Sequence, residues 1–400
     1  FHEIKKNTIT LDNLRHEVIN EKNIFIKRNL SNLKILNISN FGNRQFNRLY
    51  YISIAKKLAN GFIRNGHDVI NLSDRDVGKF NKSFRDFKGK SYLNTMIYET
   101  AKNYKPDLIL LGHSYDIENE TLERIKDYSK NTVISQWFED HLADTGPDFS
   151  LNRKKLLKYD NFIKSNFITT HPSTLDFLNK KDNFHYLPIP VDKNIEKLKI
   201  YENKNQICDV FFSMSHGVNR GKLKRDKVDE RHNFITDLIT ECPNIIFDIY
   251  GYKNREPVWA EDFYKVIVNS KMALNLTRGK PLKYLTSNRI ASLIGNGLLT
   301  FIDKKTKLNN FFSNNEVVFY SGLKDLADKI NYYKSNESSR IKIAKNGRRK
   351  YFDLFECQKV ANYIISKSFD RDIPKVLKWM DWLNEKNKFK NYKSQTRKRM

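Results

Sequence analysis

Short apolar segments alternate with amphipathic helical segments along most of this 400-residue chain, and this alternation strongly constrains the fold. The run LILL at 108–111 is wholly apolar, which is typical of a central strand in a parallel sheet. Repeated strand–helix–strand units build such sheets, so the predicted fold class is α/β. Predicted strands cover 33–39, 68–72, 108–111, 132–137, 167–170, 208–214, 245–250, 271–276, 298–302 and 317–320, and predicted helices cover 49–63, 93–104, 117–128, 232–239, 287–294 and 323–333.

The alternation is interrupted near Pro188 and Pro190, which hold the chain extended and forbid a helix. A charged, Asn-rich stretch follows before the strands resume, so two parallel-sheet domains should face each other. The predicted divisions are an N-terminal helical extension (1–30), a first domain (31–190), a linker (191–206), a second domain (207–365) and a C-terminal helix with a basic tail (366–400).

Composition narrows the class of protein further. No segment approaches the roughly 20 consecutive apolar residues of a membrane-spanning helix. Three widely spaced cysteines do not form a disulfide framework or a cysteine-based zinc site, and they fit a reducing cytoplasm. The net charge of +26 favours anionic partners such as nucleic acid, phosphorylated substrates or an acidic membrane, although the codon usage of an AT-rich genome would also enrich lysine. The basic tail suits peripheral contact with the inner membrane face, or a solvated terminus.

Loops that follow strands are where ligands bind in open α/β sheets. In the second half, the strongest signal is the start of the helix at Ser287, because Arg289 lies in its first turn. A helix N-terminus favours anions and disfavours cations, so an arginine there is best explained by a bound anion such as a diphosphate. The competing interpretation is a surface arginine without function. The other candidate residues in these loops are Ser215, His216, Arg220, Lys222, Gly251, Tyr252, Asn275, Arg278 and Asn288.

In the first half, two strand-end loops carry imidazole and carboxylate groups. His113 follows the strand at 108–111, and Asp140 follows the strand at 132–137. Either could deprotonate an acceptor hydroxyl, although a single histidine is more often structural. Two Asp-Arg-Asp runs, at 74–76 and 370–372, are interpreted as solvated, and no metal site is predicted. Walker A and Gly-x-Gly-x-x-Gly sequences are absent, which removes the standard nucleotide-binding signatures.

The segment YLTSNRIASLIGNGLLT at 284–300 resembles the donor-site segment of GT-B glycosyltransferases of the CgeB-like group. The patterns EVVFY at 316–320 and AKNGR at 344–348 are similar to downstream parts of that family, and NGHDV at 65–69 resembles a turn in its first domain. The resemblance spans about residues 33–365. It implies two Rossmann-like domains across a cleft, a nucleotide-sugar as substrate rather than a cofactor, and no metal.

By position, the resemblance assigns Arg220 and Lys222 to the donor diphosphate, the pair at 251–252 to the base, and the residues at 287–289 to phosphate or sugar. Ser292 departs from the family, which usually has a glutamate there that holds the ribose. The expected function is transfer of a sugar to a hydroxyl of a glycan or a lipid-linked acceptor.

Asp140 or His113 would be the base if the anomeric centre inverts, and a retaining enzyme would need none. One alternative is an inactive GT-B-like binding protein. Another, which rests on the charge alone, is a nucleic-acid-binding protein, but the sequence has none of the usual nucleic-acid-binding signatures.

Overall fold

The computed structural model describes residues 32–42, 52–146, 148–178, 182–214, 229–258 and 260–373. The first half forms a six-stranded parallel sheet in the order β2-β1-β3-β4-β5-β6. Its strands are β1 (Lys34–Ser39), β2 (Asp68–Ser73), β3 (Leu108–Gly112), β4 (Val133–Phe138), β5 (Ser165–Ile168) and β6 (Phe184–Tyr186). Its helices are α1 (Ile54–Arg64), α2 (Asp74–Phe80), α3 (Lys90–Tyr104), α4 (Asn119–Tyr128) and α5 (Phe149–Leu156).

The second half forms a five-stranded parallel sheet in the order β11-β10-β9-β7-β8. Its strands are β7 (Cys208–Ser213), β8 (Phe247–Tyr250), β9 (Ser270–Asn275), β10 (Leu299–Asp303) and β11 (Val318–Tyr320). Its helices are α6 (Glu230–Glu241), α7 (Ala260–Ile267), α8 (Asn288–Gly295), α9 (Leu323–Ser335) and α10 (Glu337–Phe355). The α/β class with two parallel sheets is therefore confirmed.

A last helix, α11 (Cys357–Ser368), returns from the second half and packs on the first. A Cβ added to Gly61 of α1 would lie 2.3 Å from the carbonyl oxygen of Cys357, so the two helices touch at this glycine. The backbone N–H of Cys357 donates to the carbonyl of Val191 at 2.8 Å, which ties the crossing to the linker. The predicted boundary at residue 365 leaves most of this helix in the second domain, because contacts with α1 cannot be read from local pattern.

Burial explains why the sequence pattern located every described strand except β6, which was not predicted. All five residues of β3 are buried, and Phe211 and Phe212 of β7 are fully buried. Burying one such side chain contributes roughly 1.5–3 kcal/mol. The helices α2, α5, α7 and α10 have no counterpart among the predicted helices, and α11 overlaps the predicted C-terminal helix only at its last three residues. Predictions for the N-terminal extension and for the tail after residue 373 lie outside the described residues. In the described part of the chain, no helix has both the length and the apolar character needed to cross a membrane.

The Asp-Arg-Asp run at 74–76 corrects one prediction. The strand β2 continues to Ser73, so the run directly follows a strand end and begins α2. Asp74 and Asp76 are 1% and 4% exposed, so the interpretation of these carboxylates as solvated is wrong. Burial raises the pKa of Asp74 to about 6.

Candidate functional site

Arginine side chains gather at the carboxyl edge of the second sheet. Arg231 lies in the first turn of α6, Arg278 follows β9 and Arg289 lies in the first turn of α8. Burial lowers the pKa of both Arg278 and Arg289, and the neighbouring positive charge of Arg231 lowers each further. Asp229 neutralises Arg231 through two hydrogen bonds of 2.9 and 2.6 Å. Among the described residues, Arg289 has no carboxylate in ion-pair contact and Arg278 has only the partly exposed Asp148 at 3.9 Å, which is an arrangement suited to a diphosphate.

Arg289 is held in place by neutral groups. Its Nη1 donates to the carbonyl oxygen of Leu276 at 2.7 Å, and its guanidinium lies 5.0 Å from the ring centre of Phe212. Burial lowers its pKa to about 9, so it stays charged at neutral pH. The side chain of Ser287, the N-cap residue of α8, makes no capping hydrogen bond. The backbone N–H of Ile290 donates to the carbonyl of Ser287 at 3.0 Å, so the N–H groups of Asn288 and Arg289 are the ones that can face an anion, beside a charged arginine.

Asn275 adds a second indication of a ligand at this edge. It is the last residue of β9 and only 2% exposed. Among the described residues, neither its amide nitrogen nor its amide oxygen has a hydrogen-bond partner. Buried amide groups are almost always paired, because an unpaired one costs about 1–3 kcal/mol. An unpaired amide at a strand end is what a site awaiting a polar ligand would show.

Gly251 and Tyr252 follow β8 at the same edge. Gly251 has φ 73°, and a Cβ there would lie 2.3 Å from the carbonyl oxygen of Met214, so this turn requires glycine. Tyr252 is 7% exposed and its ring lies 4.7 Å from that of His232, the neighbour of Arg231. Its hydroxyl pairs with Thr236 at 2.8 Å. The turn therefore borders the arginine-bearing start of α6.

Ser292 lies away from the cleft surface. It is 2% exposed, and its hydroxyl is 3.5 Å from that of Tyr264, which donates to Glu196 of the linker at 3.0 Å. Gly295 and Gly297 let the same linker approach, because a Cβ at either position would collide with a linker side chain. This face of α8 therefore packs on the linker, and the structure does not bring Ser292 together with the arginines.

His113 forms the centre of the first-domain side. Its backbone has φ 54°, a conformation that is strained for histidine and common at functional sites. Its ring stacks on Phe138 with centroids 4.4 Å apart, its Nδ1 contacts the hydroxyl of Tyr115, and its Nε2 accepts from the backbone N–H of Glu139 at 2.8 Å. Burial lowers its pKa to about 4, so the ring is neutral near pH 7 with both nitrogens engaged.

Glu139 and Asp140 follow β4, and their environments differ. Burial raises the pKa of Glu139 to about 7, and the charge of Asp140 raises it too, against the opposing effect of Lys57. The Asp140 side chain is 52% exposed, with its Oδ2 3.8 Å from Nδ1 of His113. A carboxyl group with a pKa near 7 is well matched to proton transfer at neutral pH. Asp140 is among the residues predicted from the sequence, whereas Glu139 is not.

Lys57 joins the two domains beneath this edge. Its side chain is wholly buried, and its Nζ lies 2.6 Å from Oε1 of Glu196 and donates to Oδ1 of Asn288 at 3.0 Å. The amide nitrogen of Asn288 donates to the carbonyl of Ile52 at 2.8 Å. The start of α8 is thereby fixed against α1. Nearby, Arg278 lies 3.9 Å from Asp148, so the arginines and the carboxylates face one cleft.

The structure brings His113 and Asp140 to the carboxyl edge of the first sheet, and seven more of the fourteen predicted residues to that of the second: Gly251, Tyr252, Asn275, Arg278, Ser287, Asn288 and Arg289. Ser215, His216, Arg220 and Lys222 lie outside the described residues. Arg231 was missed, although the sequence signal that marks Arg289, an arginine in a first helical turn, marks it equally. Lys57 was missed as well, and its signal is a lysine within the apolar stripe of α1. No group of three His, Cys, Asp or Glu side chains in the described ranges could hold a metal ion.

Comparisons with known proteins agree with this architecture. Residues 229–366 match the family model described as "Glycosyl transferase-like", which covers about a third of the chain. HepE from Anabaena in complex with UDP-glucose superposes with a TM-score of 0.53 at 13% identity, covering 84% of this chain and 98% of that one. No curated protein shows significant similarity to this sequence.

Two further solved structures share the fold. Sucrose-phosphate synthase from Thermosynechococcus elongatus gives a TM-score of 0.53 at 10% identity, covering 84% of this chain and 98% of that one. A glycosyltransferase involved in avilamycin A biosynthesis gives 0.51 at 11% identity, covering 84% and 97%. The chain therefore has the GT-B fold of glycosyltransferases, with a glycosyl transferase-like second domain.

Proposed function

We propose that this protein is a glycosyltransferase that moves a sugar from a nucleotide-sugar, with UDP as the first nucleotide to test, to a hydroxyl acceptor on a glycan or lipid-linked glycan. The observation that carries the proposal is the pair of guanidinium groups, Arg278 and Arg289, beside an uncapped helix start. These groups would neutralise the diphosphate as it leaves. Stabilisation of the charge that develops in the transition state is usually what accelerates such reactions most.

The acceptor would lie on the first-domain side. Glu139 and Asp140 would hold the acceptor hydroxyl, and Glu139 would take its proton if the anomeric centre inverts. In a retaining enzyme the same carboxylates would bind acceptor hydroxyls only. His113 would position Glu139 through the hydrogen bond to its backbone N–H. The anomeric configuration of the product, measured by NMR, separates the two courses.

Removal of the guanidinium groups tests the donor site. We expect Arg278→Ala/Arg289→Ala to weaken UDP binding by about 100-fold or more in calorimetry, because each charge-assisted hydrogen bond contributes roughly 1.5–3 kcal/mol. Arg349→Ala is the matched control, since it removes an exposed arginine of α10 that pairs with a neighbouring asparagine. Equal affinity of the double variant and the control for UDP would refute the site.

A second candidate, a GT-B-like protein that binds nucleotide-sugars without turnover, is motivated by Ser292. The serine stands where the family usually has a ribose-binding glutamate, and it is buried against Tyr264. Incubation with a panel of nucleotide-sugars and acceptors discriminates the two, because release of nucleoside diphosphate requires catalysis. Binding without any release would support the second candidate.

A further inference from the structure

A loop of the first domain exposes phenylalanine side chains to solvent. It comprises residues 79–90, from the last two residues of α2 to the first residue of α3, and is called here the basic–aromatic loop. Phe84 is 89% exposed, Phe87 is 71% exposed and Phe80 is 64% exposed. Single exposed apolar residues are ordinary, but a group of large ones marks an interaction site. On the adjoining turn of α3, Tyr92 is 52% exposed and extends the same apolar character.

The basic–aromatic loop is held by a dense set of hydrogen bonds. The carboxylate of Asp86 accepts from the backbone N–H groups of Lys90 and Ser91 at 3.0 and 2.8 Å, which caps the start of α3. Ser83 and Asp86 exchange backbone hydrogen bonds of 3.0 and 3.2 Å. Gly89 has φ 65°, and a Cβ there would lie 1.9 Å from the carbonyl oxygen of Gly78. These contacts fix the backbone that presents the rings, so their exposure is a built feature.

The charges of the basic–aromatic loop are one-sided. Five cationic side chains alternate with the phenylalanines, and Asp86, which caps α3, is the one acid among them: Lys79, Lys82, Arg85, Lys88 and Lys90. Lys90 pairs with Asp116 at 3.0 Å, while Lys82, Arg85 and Lys88 are exposed. Aromatic side chains interleaved with lysine and arginine suit the interface of an anionic bilayer, where rings enter the headgroup region and cations meet lipid charges.

We propose that the basic–aromatic loop docks the protein on an anionic lipid surface, with Phe84 and Phe87 inserted among the headgroups. This surface is separate from the basic C-terminal tail and does not depend on the proposed function. It lies beside the candidate site, because Asn94 of α3 donates to the carbonyl of Asp116, three residues after His113, at 3.2 Å. A docked protein would therefore hold the first-domain side of the cleft close to the membrane, where lipid-linked acceptors reside.

Other occupants fit the charges less well. A second copy of this chain would bring the same cations against one another in a symmetric contact, which is repulsive. Single-stranded nucleic acid usually binds in a basic groove with bases stacked on ring faces. Here Phe84 and Phe87 pack edge to face, with centroids 5.9 Å apart, in a loop that almost nothing covers. The lipid surface is the occupant that uses both the rings and the cations.

The test is co-sedimentation of the full chain with vesicles of phosphatidylcholine, with or without about a third phosphatidylglycerol. We expect binding to the anionic vesicles and a loss of about 10-fold or more in Phe84→Ser/Phe87→Ser, as removal of inserted aromatic area predicts. Lys82→Ser/Lys88→Ser should lose about 25-fold, since each cation near an anionic leaflet contributes about five-fold. In Phe84→Trp, brominated acyl chains should quench tryptophan fluorescence more than they do in the parent, which has four tryptophans of its own.

Ile207→Ser/Ile246→Ser is the matched control, because these exposed side chains, 69% and 56%, precede strands at the opposite edge of the second sheet. It should bind vesicles like the parent, and UDP binding should be unchanged in every variant. Parent-like vesicle binding by Phe84→Ser/Phe87→Ser would overturn the proposal. The proposal would also be overturned if the parent bound RNA, or formed a dimer without lipid, and this variant disrupted that complex or dimer.

Discussion

Two helices, one in each domain, begin with opposite charges. The helix α2 begins with Asp74 and Asp76, carboxylates that suit the positive end of a helix dipole. The helix α8 begins with Asn288 and Arg289 and has no acid in its first turn. In the first helix, acidic side chains balance the positive end of the dipole. In the second helix, neither that positive end nor the arginine is balanced by an acid of the first turn, so both can attract an anionic ligand. In the proposed function, the acidic side, in the first domain, would take the acceptor and the cationic side, in the second domain, the donor.

On the acidic side, we expect the largest loss of activity from a substitution at Glu139. If the anomeric centre inverts, we expect kcat in Glu139→Gln to fall about 1000-fold with UDP affinity unchanged, because a positioned proton acceptor contributes roughly 100- to 10,000-fold. Initial rates of sugar transfer and calorimetry with UDP provide the two readouts. Glu123→Gln, on the exposed face of α4, is the matched control and should behave like the parent. A parent-like kcat in Glu139→Gln would remove this side chain from the chemistry.

The contact between the two sides can be broken at Lys57. Lys57→Met leaves the buried carboxylate of Glu196 without its cation, which typically costs about 3–5 kcal/mol of the free energy of unfolding. Urea unfolding should show this loss. Lys57→Met/Glu196→Gln should recover much of it, since no buried charge is then left unpaired.

Lys56→Met is the control for this pair, as the neighbouring lysine of the same helix is only half-buried. If Lys57→Met were as stable as Lys56→Met, the buried pair would not hold α1 to the linker.

Much of this architecture could be predicted from the sequence, and the remainder depends on contacts between distant segments. Apolar runs located all the described strands but β6, because strands such as β3 and its neighbours β1 and β4 are buried over nearly their whole length. Arg289 could be found for a similarly local reason, since the helix dipole disfavours an arginine in a first turn. The sequence could not show that Glu139, rather than Asp140, is the carboxyl group with the raised pKa. That depends on which of the two side chains turns inward where β4 ends. The pair of Lys57 and Glu196 joins separate elements, so no local pattern contains it.

The ionisation of Glu139 predicts how the activity of the acidic side depends on pH. Burial and the nearby Asp140 raise its pKa to about 7, and the inverting course needs the ionised form to take the proton of the acceptor hydroxyl. If the anomeric centre inverts, we therefore expect kcat/KM to rise about tenfold per pH unit below about pH 7 and to level off above it. Rates measured from pH 5.5 to 9 check this rise in kcat/KM, which should be absent in Glu139→Gln. A flat profile in the parent would contradict the assignment.

The smallest effect is expected where the acidic side reaches the cationic one. Asp148 of the first domain lies 3.9 Å from Arg278, with both side chains about one-third exposed, so it competes weakly with an incoming diphosphate. In Asp148→Asn we expect UDP to bind about two-fold more tightly at low salt, because exposed pairs contribute about 0.2–1 kcal/mol. The gain should disappear in 0.5 M NaCl, where such pairs are screened. Weaker binding in calorimetry would instead mean that Asp148 orients Arg278 for the donor, and the two sides of the cleft would cooperate rather than compete.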